Sequence, residues 1–363
     1  SSINVRSTGS GGGSIAKQSP SSRWHVGPES AGAYPGPACY SRGGENATLT
    51  DSHFYLGRLP CVLAEGKIPL NIEKARKALG NFGLQRKYSA EKTANSVLEM
   101  ASHDMCGAIR QLVASKATPI NEYILIAIGG AGPLHAAEVA ALIGIKTVVV
   151  PPHPGTASAL GILEADITKD FVLPYFTKQD KKINLNEIFE SIEIDALSWL
   201  KNQAPETKYI KLLRKLDLRY QGMTHKSIID CPKNCEDRKL LDNTIIDFHK
   251  HFENLTGQNW KGRENVEIVN FRVSVIGKMR DKKVKIDYKN NSDSIRSDQK
   301  RAVKYLGQEK KISSTIRDRA ALKTGDYLSG PCVVEEPSST TIVPPGWSVR
   351  VDTDLNLILK AQS

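Results

Sequence analysis

The spacing of apolar residues changes several times along this chain, and each change predicts an element. Between about Asn71 and Lys116 apolar residues recur every three or four positions: Ile72, Ala75 and Leu79, then Ala94, Val97, Leu98, Ala101, Met105, Ile109 and Leu112. That period predicts helix. Tyr123–Ile128 is an unbroken apolar run and predicts a fully buried strand. The turn Gly129-Gly-Ala-Gly-Pro133 follows, then a small-residue helix over Leu134–Ile143 with Gly144 as its C-terminal cap. Ile145–Val150 predicts a second buried strand, stopped by Pro151-Pro152. Strand, loop, helix, strand is the repeating unit of a mostly parallel α/β sheet.

After about Asp170 the texture changes, with lysine and asparagine rising. Helices over Leu185–Asn202 and Arg238–Leu255 alternate with strands over Leu213–Tyr220 and Glu267–Ile276. The tail from Gly330 predicts strands at 332–335, 340–343, 348–351 and 355–359, with Pro344-Pro-Gly-Trp347 as a turn. A boundary near 170–180 divides the chain into two domains, 1–175 and 176–363. Upstream, Ser7–Ser14 is rich in Gly and Ser, and Val26–Tyr40 holds too many Gly and Pro residues for helix.

Composition narrows the function classes. Hydrophobic residues at 40% and charged residues at 25% suit a folded globular chain. The most apolar window, Tyr123–Val150, is broken by glycines, His135, Glu138 and Lys146, so no membrane partner is expected. Without a leader pattern at its start, the chain is expected to be cytoplasmic. Six scattered cysteines agree, suiting reduced thiols. The net charge of +11 raises nucleic-acid binding. The lysines of Lys278–Lys289 and Arg296–Lys311 are interleaved with acids, however, and no aromatic-basic reader motif accompanies them, so a solvated basic surface is the preferred reading.

Candidate chemistry sits at the glycines. A glycine loop between a buried strand and a helix start exposes backbone amides and the positive end of the helix dipole, which suits phosphate. Gly129, Gly130, Ala131 and Gly132 meet that context. The competing reading is that the glycines only permit close strand–helix packing. Gly11, Gly12, Gly13 and Ser14 form a second candidate, although composition alone favours a flexible loop there. His135 lies beside the first loop and faces either a ligand or the core. Asp51, His53, Asp166 and Asp170 follow turns or strand exits, where carboxylates hold Mg²⁺ or cap the backbone. Cys39 reads equally as a buried small residue or a nucleophile. Cys231 and Cys235 have a metal-ligand spacing but lack a second Cys/His pair, because His249 and His251 point to different helix faces.

Five strings, in order, resemble the hydantoinase A/5-oxoprolinase family. They are Val26-Gly-Pro-Glu-Ser-Ala-Gly-Ala with Pro35-Gly-Pro-Ala-Cys-Tyr40; Leu49-Thr-Asp51 with Leu56-Gly-Arg-Leu59; Gly129–Ala136; Val150–Gly161; and Gly330–Trp347. The resemblance implies an α/β fold: the C-terminal portion of an actin/Hsp70-like ATPase domain over 1–175, then a smaller, strand-rich α+β domain over 176–363. It implies ATP and Mg²⁺ as cofactors and a small cyclic amide or imide as substrate, such as a 5-oxoproline- or hydantoin-like ring. A phosphorylated intermediate would be hydrolysed by a partner subunit or domain. Gly129, Gly130 and Gly132 map to the nucleotide loop, and Gly11–Ser14 to a second segment near the cleft.

One departure shapes the expectation. Family members carry Asp-x-Gly-Gly-Thr-type phosphate loops well before the first glycine run, and none occurs here. The chain is therefore expected to be a split subunit or a shortened polypeptide, inactive alone and completed by an upstream ATPase lobe or subunit. The rival readings are a non-catalytic remnant or assembly subunit, and a subunit of an ATP-dependent ketone carboxylase.

Overall fold

The computed structural model describes residues 5–64, 66–114, 118–178, 183–232, 237–278 and 299–362. In chain order, β1 (Ser14–Gln18) and β2 (Trp24–Ser30) precede α1 (Leu49–Tyr55) and the two-residue strands β3 (Val62–Leu63) and β4 (Ile68–Pro69). Next come α2 (Ile72–Gly83), α3 (Ala90–Val113), β5 (Ile124–Ile126), α4 (Gly132–Ile143), β6 (Thr147–Val150) and α5 (Ala157–Glu164). The middle of the chain forms β7 (Ile167–Lys178), α6 (Leu185–Gln203), β8 (Tyr209–Tyr220), β9 (Ser227–Asp230), α7 (Asp237–Thr256) and β10 (Val266–Lys278). The last stretch forms β11 (Lys300–Val303), β12 (Ile312–Asp318), β13 (Tyr327–Ser329), β14 (Cys332–Glu336), β15 (Ser339–Val343), β16 (Trp347–Val351) and β17 (Leu357–Ala361). The architecture is mixed α/β with several sheets.

Contacts gather the chain into two compact units, Ser1–Gly161 with Asp287–Ser363, and Ile162–Ile286. The expected division at 175/176 follows chain order. The compact units do not, because β17 returns to pair antiparallel with β6, setting Leu357 opposite Val150 and Leu359 opposite Val148. All four of these side chains are fully buried, so the pairing is fixed by the alternation of apolar positions on both strands.

In the first unit the predicted strand–loop–helix–strand is present, with β5 and β6 parallel. The sheet is less parallel than that unit implied, since the order β13-β16-β17-β6-β5 is antiparallel everywhere else. The first strand of the unit is also not fully buried. It lies at the sheet edge, and Ile124, Ile126 and Ile128 are 59%, 64% and 48% exposed. Periodicity cannot distinguish a doubly covered strand from an apolar edge strand. Ala136, Ala137, Val139 and Ala140 of α4 pack into the core of this sheet, where small side chains permit close approach. A second sheet, β11-β12-β14-β15, lies in the same unit, with β12 and β14 parallel. Helices α1, α2 and α3 share a core built on Leu49, Leu56, Leu79, Val97 and Leu98. Each is capped by a side chain: Thr48, Asn71 and Ser89 accept from Asp51, Lys74 and Lys92 amides.

The second unit is the antiparallel sheet β7-β10-β8-β9 with α6 and α7, around a core that includes Phe189, Leu200, Leu216, Tyr220, Phe248 and Phe271. β7 occupies the stretch where a domain boundary was expected. It is an edge strand whose residues are mostly exposed, so it lacks the apolar alternation that marks a strand.

One buried ion pair organises the first unit. The Arg58 guanidinium, 0% exposed, donates to both Glu138 carboxylate oxygens at 2.6 and 2.8 Å. Arg58 Nε also donates to the Lys304 carbonyl at 2.8 Å, and the Leu306 amide donates to Glu138 Oε1 at 2.7 Å. Four hydrogen bonds thus tie the exit of α1, the middle of α4 and the segment after β11. Removing one partner strands a buried charge, which costs about 3–5 kcal/mol. We therefore expect Arg58→Met and Glu138→Leu each to destabilise by that amount in urea unfolding, and the double variant to lose less than the sum.

Candidate functional site

The glycine loop after β5 is built by backbone bonds that leave its tip open. The Ala127 amide still pairs with the Val149 carbonyl at 2.8 Å, continuing the sheet. Gly129 then turns with φ +85°, a conformation glycine adopts without strain, and its amide bonds the Pro154 carbonyl at 2.7 Å. Among the described residues, the Gly130 and Ala131 amides donate to no backbone carbonyl. No side chain caps α4, and Pro133 sits in its first turn. The start of this helix therefore keeps uncapped amides and the positive end of its dipole.

The earlier glycine run is an ordered loop, unlike the flexible segment its composition suggested. Gly12 O accepts from the Thr50 amide and hydroxyl, both at 2.9 Å, and Gly13 O accepts from the Ala31 amide at 2.8 Å. A Cβ on Gly12 would lie 2.8 Å from Thr50 Oγ1, and one on Gly13 2.7 Å from Ser30 Oγ. A side chain at either position would have to displace one of these hydroxyls.

Both runs line one cavity of about 800 Å³ in the first unit, through Gly12, Gly13, Gly130 and Ala131. Gly11, Gly129, Gly132 and Ser14 do not line it, and Ser14 is buried at the start of β1. The β14–β15 hairpin, whose two-residue tip is Pro337-Ser338, also lines it. The hairpin docks on the glycine loop: Ser339 Oγ donates to the Gly130 carbonyl at 3.1 Å, and a Cβ on Gly130 would come within 3.2 Å of the Ser338 carbonyl.

The charge of this cavity is unexpected for a phosphate site. No Lys, Arg or His is among its lining residues, whereas Asp318, Glu335 and Glu336 are. Asp318 is occupied by the Ala320 amide at 2.9 Å, and Glu335 by Arg301 at 2.7 Å. Glu336 is different. Its Oε1 is shielded from solvent and has no hydrogen-bond partner among the described residues. Burial pushes its carboxyl from the ordinary 4.5 up to about 7, with Arg319 acting weakly in the opposite sense. Sequence reasoning missed this residue, because an acid before Pro at a hairpin turn normally signals a solvated tip.

The other candidates resolve as structure. Asp51 is fully buried and spent on the backbone: its carboxylate accepts from the Cys39 amide at 2.7 Å, the Thr48 amide at 3.0 Å and the Thr48 hydroxyl at 2.7 Å. It pins the Pro-rich loop to α1. Burial and the neighbouring Asp51 push the Cys39 thiol far up, which disfavours a nucleophilic thiolate. His135 turns into the core and meets His53, Nε2 to Nε2, at 3.0 Å with the rings edge to face. Asp166 is exposed in the second unit. There Asp170 accepts from Ser274 at 2.6 Å and Arg272 at 3.4 Å. Cys235 lies outside the described residues. His249 is held by the Tyr220 hydroxyl at 2.6 Å. Among the described residues no group of three or more His, Cys, Asp or Glu is placed to hold a metal ion. No helix there is long and apolar enough to cross a membrane.

Comparison with known proteins places this geometry in context. Residues 1–171 match the hydantoinase/oxoprolinase family model, and residues 175–361 the hydantoinase/oxoprolinase C-terminal domain model. An uncharacterized protein of Methanocaldococcus jannaschii is 32% identical over 96% of this chain and 50% of its own length. The caprolactamase alpha subunit of Pseudomonas jessenii is 28% identical over 96% of this chain and 51% of its own. The crystal structure of the ATP-dependent caprolactamase from that organism superposes with a TM-score of 0.79 at 27% identity, covering 97% of this chain and 52% of that one. The acetophenone carboxylase gamma subunit of Aromatoleum aromaticum is 28% identical over 98% of this chain and 50% of its own. The chain spans about half the length of these relatives.

The buried histidine pair predicts the acid limb of stability. Burial, then neighbouring positive charge, holds His53 well below 6.5 and His135 down to about 3. Both are neutral in the fold and protonate once unfolded below 6.5, so their contribution is present above 6.5 and lost as pH falls. Each ring contributes a slope of about 1.4 kcal/mol per pH unit across that window. Urea unfolding from pH 7 to 5 should show the double variant His53→Leu/His135→Leu losing stability on acidification less steeply than the native chain.

Proposed function

The chain belongs to the hydantoinase/oxoprolinase family, and from that premise we propose that it forms part of an ATP-dependent hydrolase opening a small cyclic amide or imide. The observation that carries the reading is the convergence of the two glycine runs, distant in sequence, on one cavity beside the uncapped start of α4. An amide is a poor electrophile. Transfer of the ATP γ-phosphoryl group to its oxygen releases ADP and gives a phosphorylated imidate, whose carbon water can attack. The C–N bond then opens, leaving an amine and an acyl phosphate, and a second water hydrolyses the acyl phosphate to the carboxylate and inorganic phosphate.

In this reading the amides of Gly130 and Ala131, with Gly12 and Gly13 of the same lining, contact the nucleotide, and 1–175 is the C-terminal portion of an actin/Hsp70-like ATPase domain. The lining has no basic side chain to offset a triphosphate. Mg²⁺ and the groups that compensate the remaining charge come from polypeptide beyond these residues, consistent with relatives about twice as long. A hydrolytic partner completes the reaction. Cys39, Cys61, Cys106 and Cys332 are free thiols, which supports a cytoplasmic setting. Similarity to a ketone carboxylase subunit over 98% of the chain supports a second reading, in which ATP activates a ketone for carboxylation.

The test is reconstitution with the remaining family polypeptides, following ADP release with lactams, hydantoins, or a ketone plus bicarbonate. ATP turnover stimulated by a cyclic amide is expected. Gly130→Val, which drives a side chain toward the Ser338 carbonyl, should lower it by about a hundredfold while the variant still melts cooperatively. Stimulation by ketone and bicarbonate alone would favour the carboxylase, and no stimulation by any of them would overturn both readings.

A further inference from the structure

The edge strand β5 is apolar at every position, which is the composition of a strand covered on both faces. In the structure only one face is covered. Leu125 and Ala127 pack into the core that α4 shares, whereas Ile124, Ile126 and Ile128 alternate with them and stand exposed on the other face. The ladder extends this face inward: Ile126 lies opposite Val149, Val149 opposite Ile358, and Ile358 opposite Arg350. In the next row Ile124 lies opposite Thr147, and Thr147 opposite Lys360. The result is an apolar patch with exposed Lys360 and Arg350 along its far border.

The backbone of β5 is open as well. The Ala127 amide bonds the Val149 carbonyl, and successive residues of a strand present their backbone groups to opposite sides. The amides and carbonyls of Ile124 and Ile126 therefore point away from β6, to the side where the sheet has no further strand. Other edges in the chain are blunted: β7 carries Lys169, Asp170 and Pro174, and β11 opens on Lys300 and Arg301. β5 has neither charge nor proline. An unprotected apolar edge of this kind is a template for an added strand.

Length and charge identify what covers it. Relatives matched over nearly all of this chain are about twice its length, so the family polypeptide includes a second part of similar size. A second copy of this chain fits poorly, because it would bring together two molecules of net charge +11 with Lys360 and Arg350 at the joint. We infer that the remaining part of the family polypeptide adds a strand along β5 and buries Ile124, Ile126 and Ile128, with acidic residues opposite Lys360 and Arg350. Ile128 leads directly into Gly129, so one end of the added strand lies beside the cavity whose lining has no basic side chain. The inference rests on the reading that further polypeptide completes this cavity, and not on which carbonyl is activated there.

The experiment compares the 363-residue chain with a joined chain in which it replaces the matching half of the Methanocaldococcus jannaschii relative. Hydrogen exchange and thermal melting are followed without nucleotide or substrate. The amides of Ile124 and Ile126 should exchange freely in the lone chain and slow by about a hundredfold or more in the joined one. Ile126→Lys should leave the melting of the lone chain unchanged, because that side chain is exposed there. In the joined chain it should lower the melting temperature and restore fast exchange at Ile124, whereas Ile126→Val should retain the protection. The inference is overturned if the joined chain leaves both amides unprotected, or tolerates Ile126→Lys as the lone chain does. A joined chain without a cooperative transition, when the relative itself melts cooperatively, overturns it too. So does a lone-chain dimer, seen by sedimentation, that Ile126→Lys dissociates, since the face would then serve a second copy. Ring-stimulated ATP turnover in a joined chain with unprotected β5 amides would sink this inference and leave the proposed activity standing.

Discussion

The first unit depends on a charge pair placed where water cannot reach it. Arg58 and Glu138 lose their hydration on folding, a penalty of several kcal/mol per ion that Coulomb attraction alone does not reliably offset. Here the offset comes from geometry. The contact is bidentate, and the remaining capacity of each group goes to backbone, the Lys304 carbonyl on one side and the Leu306 amide on the other. Those partners come from three separated stretches, so the pair is formed only when α1, α4 and the segment after β11 have come together. It holds in register the helix whose uncapped start faces the cavity.

The same guanidinium bears on the histidines beside it. Desolvation is the first reason that His53 and His135 are neutral, and the charge of Arg58 adds to it. Glu336 titrates in the opposite sense. Its folded value lies above the unfolded one, so the fold binds the extra proton, and that contribution is lost as pH rises from about 4.5 to about 7. The histidine contribution is lost as pH falls below 6.5. The core thus opposes acidification while the cavity wall opposes alkalinisation, and the two slopes partly cancel across their shared window. Such a wall acid, kept against a stability gradient, fits the pattern in which perturbed carboxyls mark functional positions.

Much of the architecture was legible in the chain. The helices α2, α3, α6 and α7 follow three- and four-residue apolar spacing, and Gly144 caps α4 with φ +86° as its position suggested. What was not legible depended on partners remote in sequence. Tyr123–Ile128 reads as buried because its residues are apolar, but only the sheet order reveals it as an edge. The return of β17 to β6 cannot be read locally, nor can the ordering of Gly11–Gly13 by Thr50 and Ala31. The candidate site was half visible. Its glycines announce themselves by type, but the acid that shares their cavity is identified only by desolvation, which composition does not encode.

The cavity lining combines two groups of opposite electrostatic character. Backbone amides at a helix start attract negative charge, while an acid-lined wall free of cations repels it. One pocket combining both is poorly suited to a naked polyphosphate and well suited to two neighbours of different charge. In the proposed reaction a phosphoryl group would sit toward Gly130–Ala131, away from the acids of the lining. The hairpin tip joins the two parts of the lining: Ser339 bonds the glycine loop while Glu336, paired with it across the turn, lines the same cavity. Protonation of Glu336 bears on the proposed nucleotide contact. A neutral Glu336 adds no charge to a lining that already carries Asp318 and Glu335, which in the proposed reaction would ease the approach of a phosphoryl group.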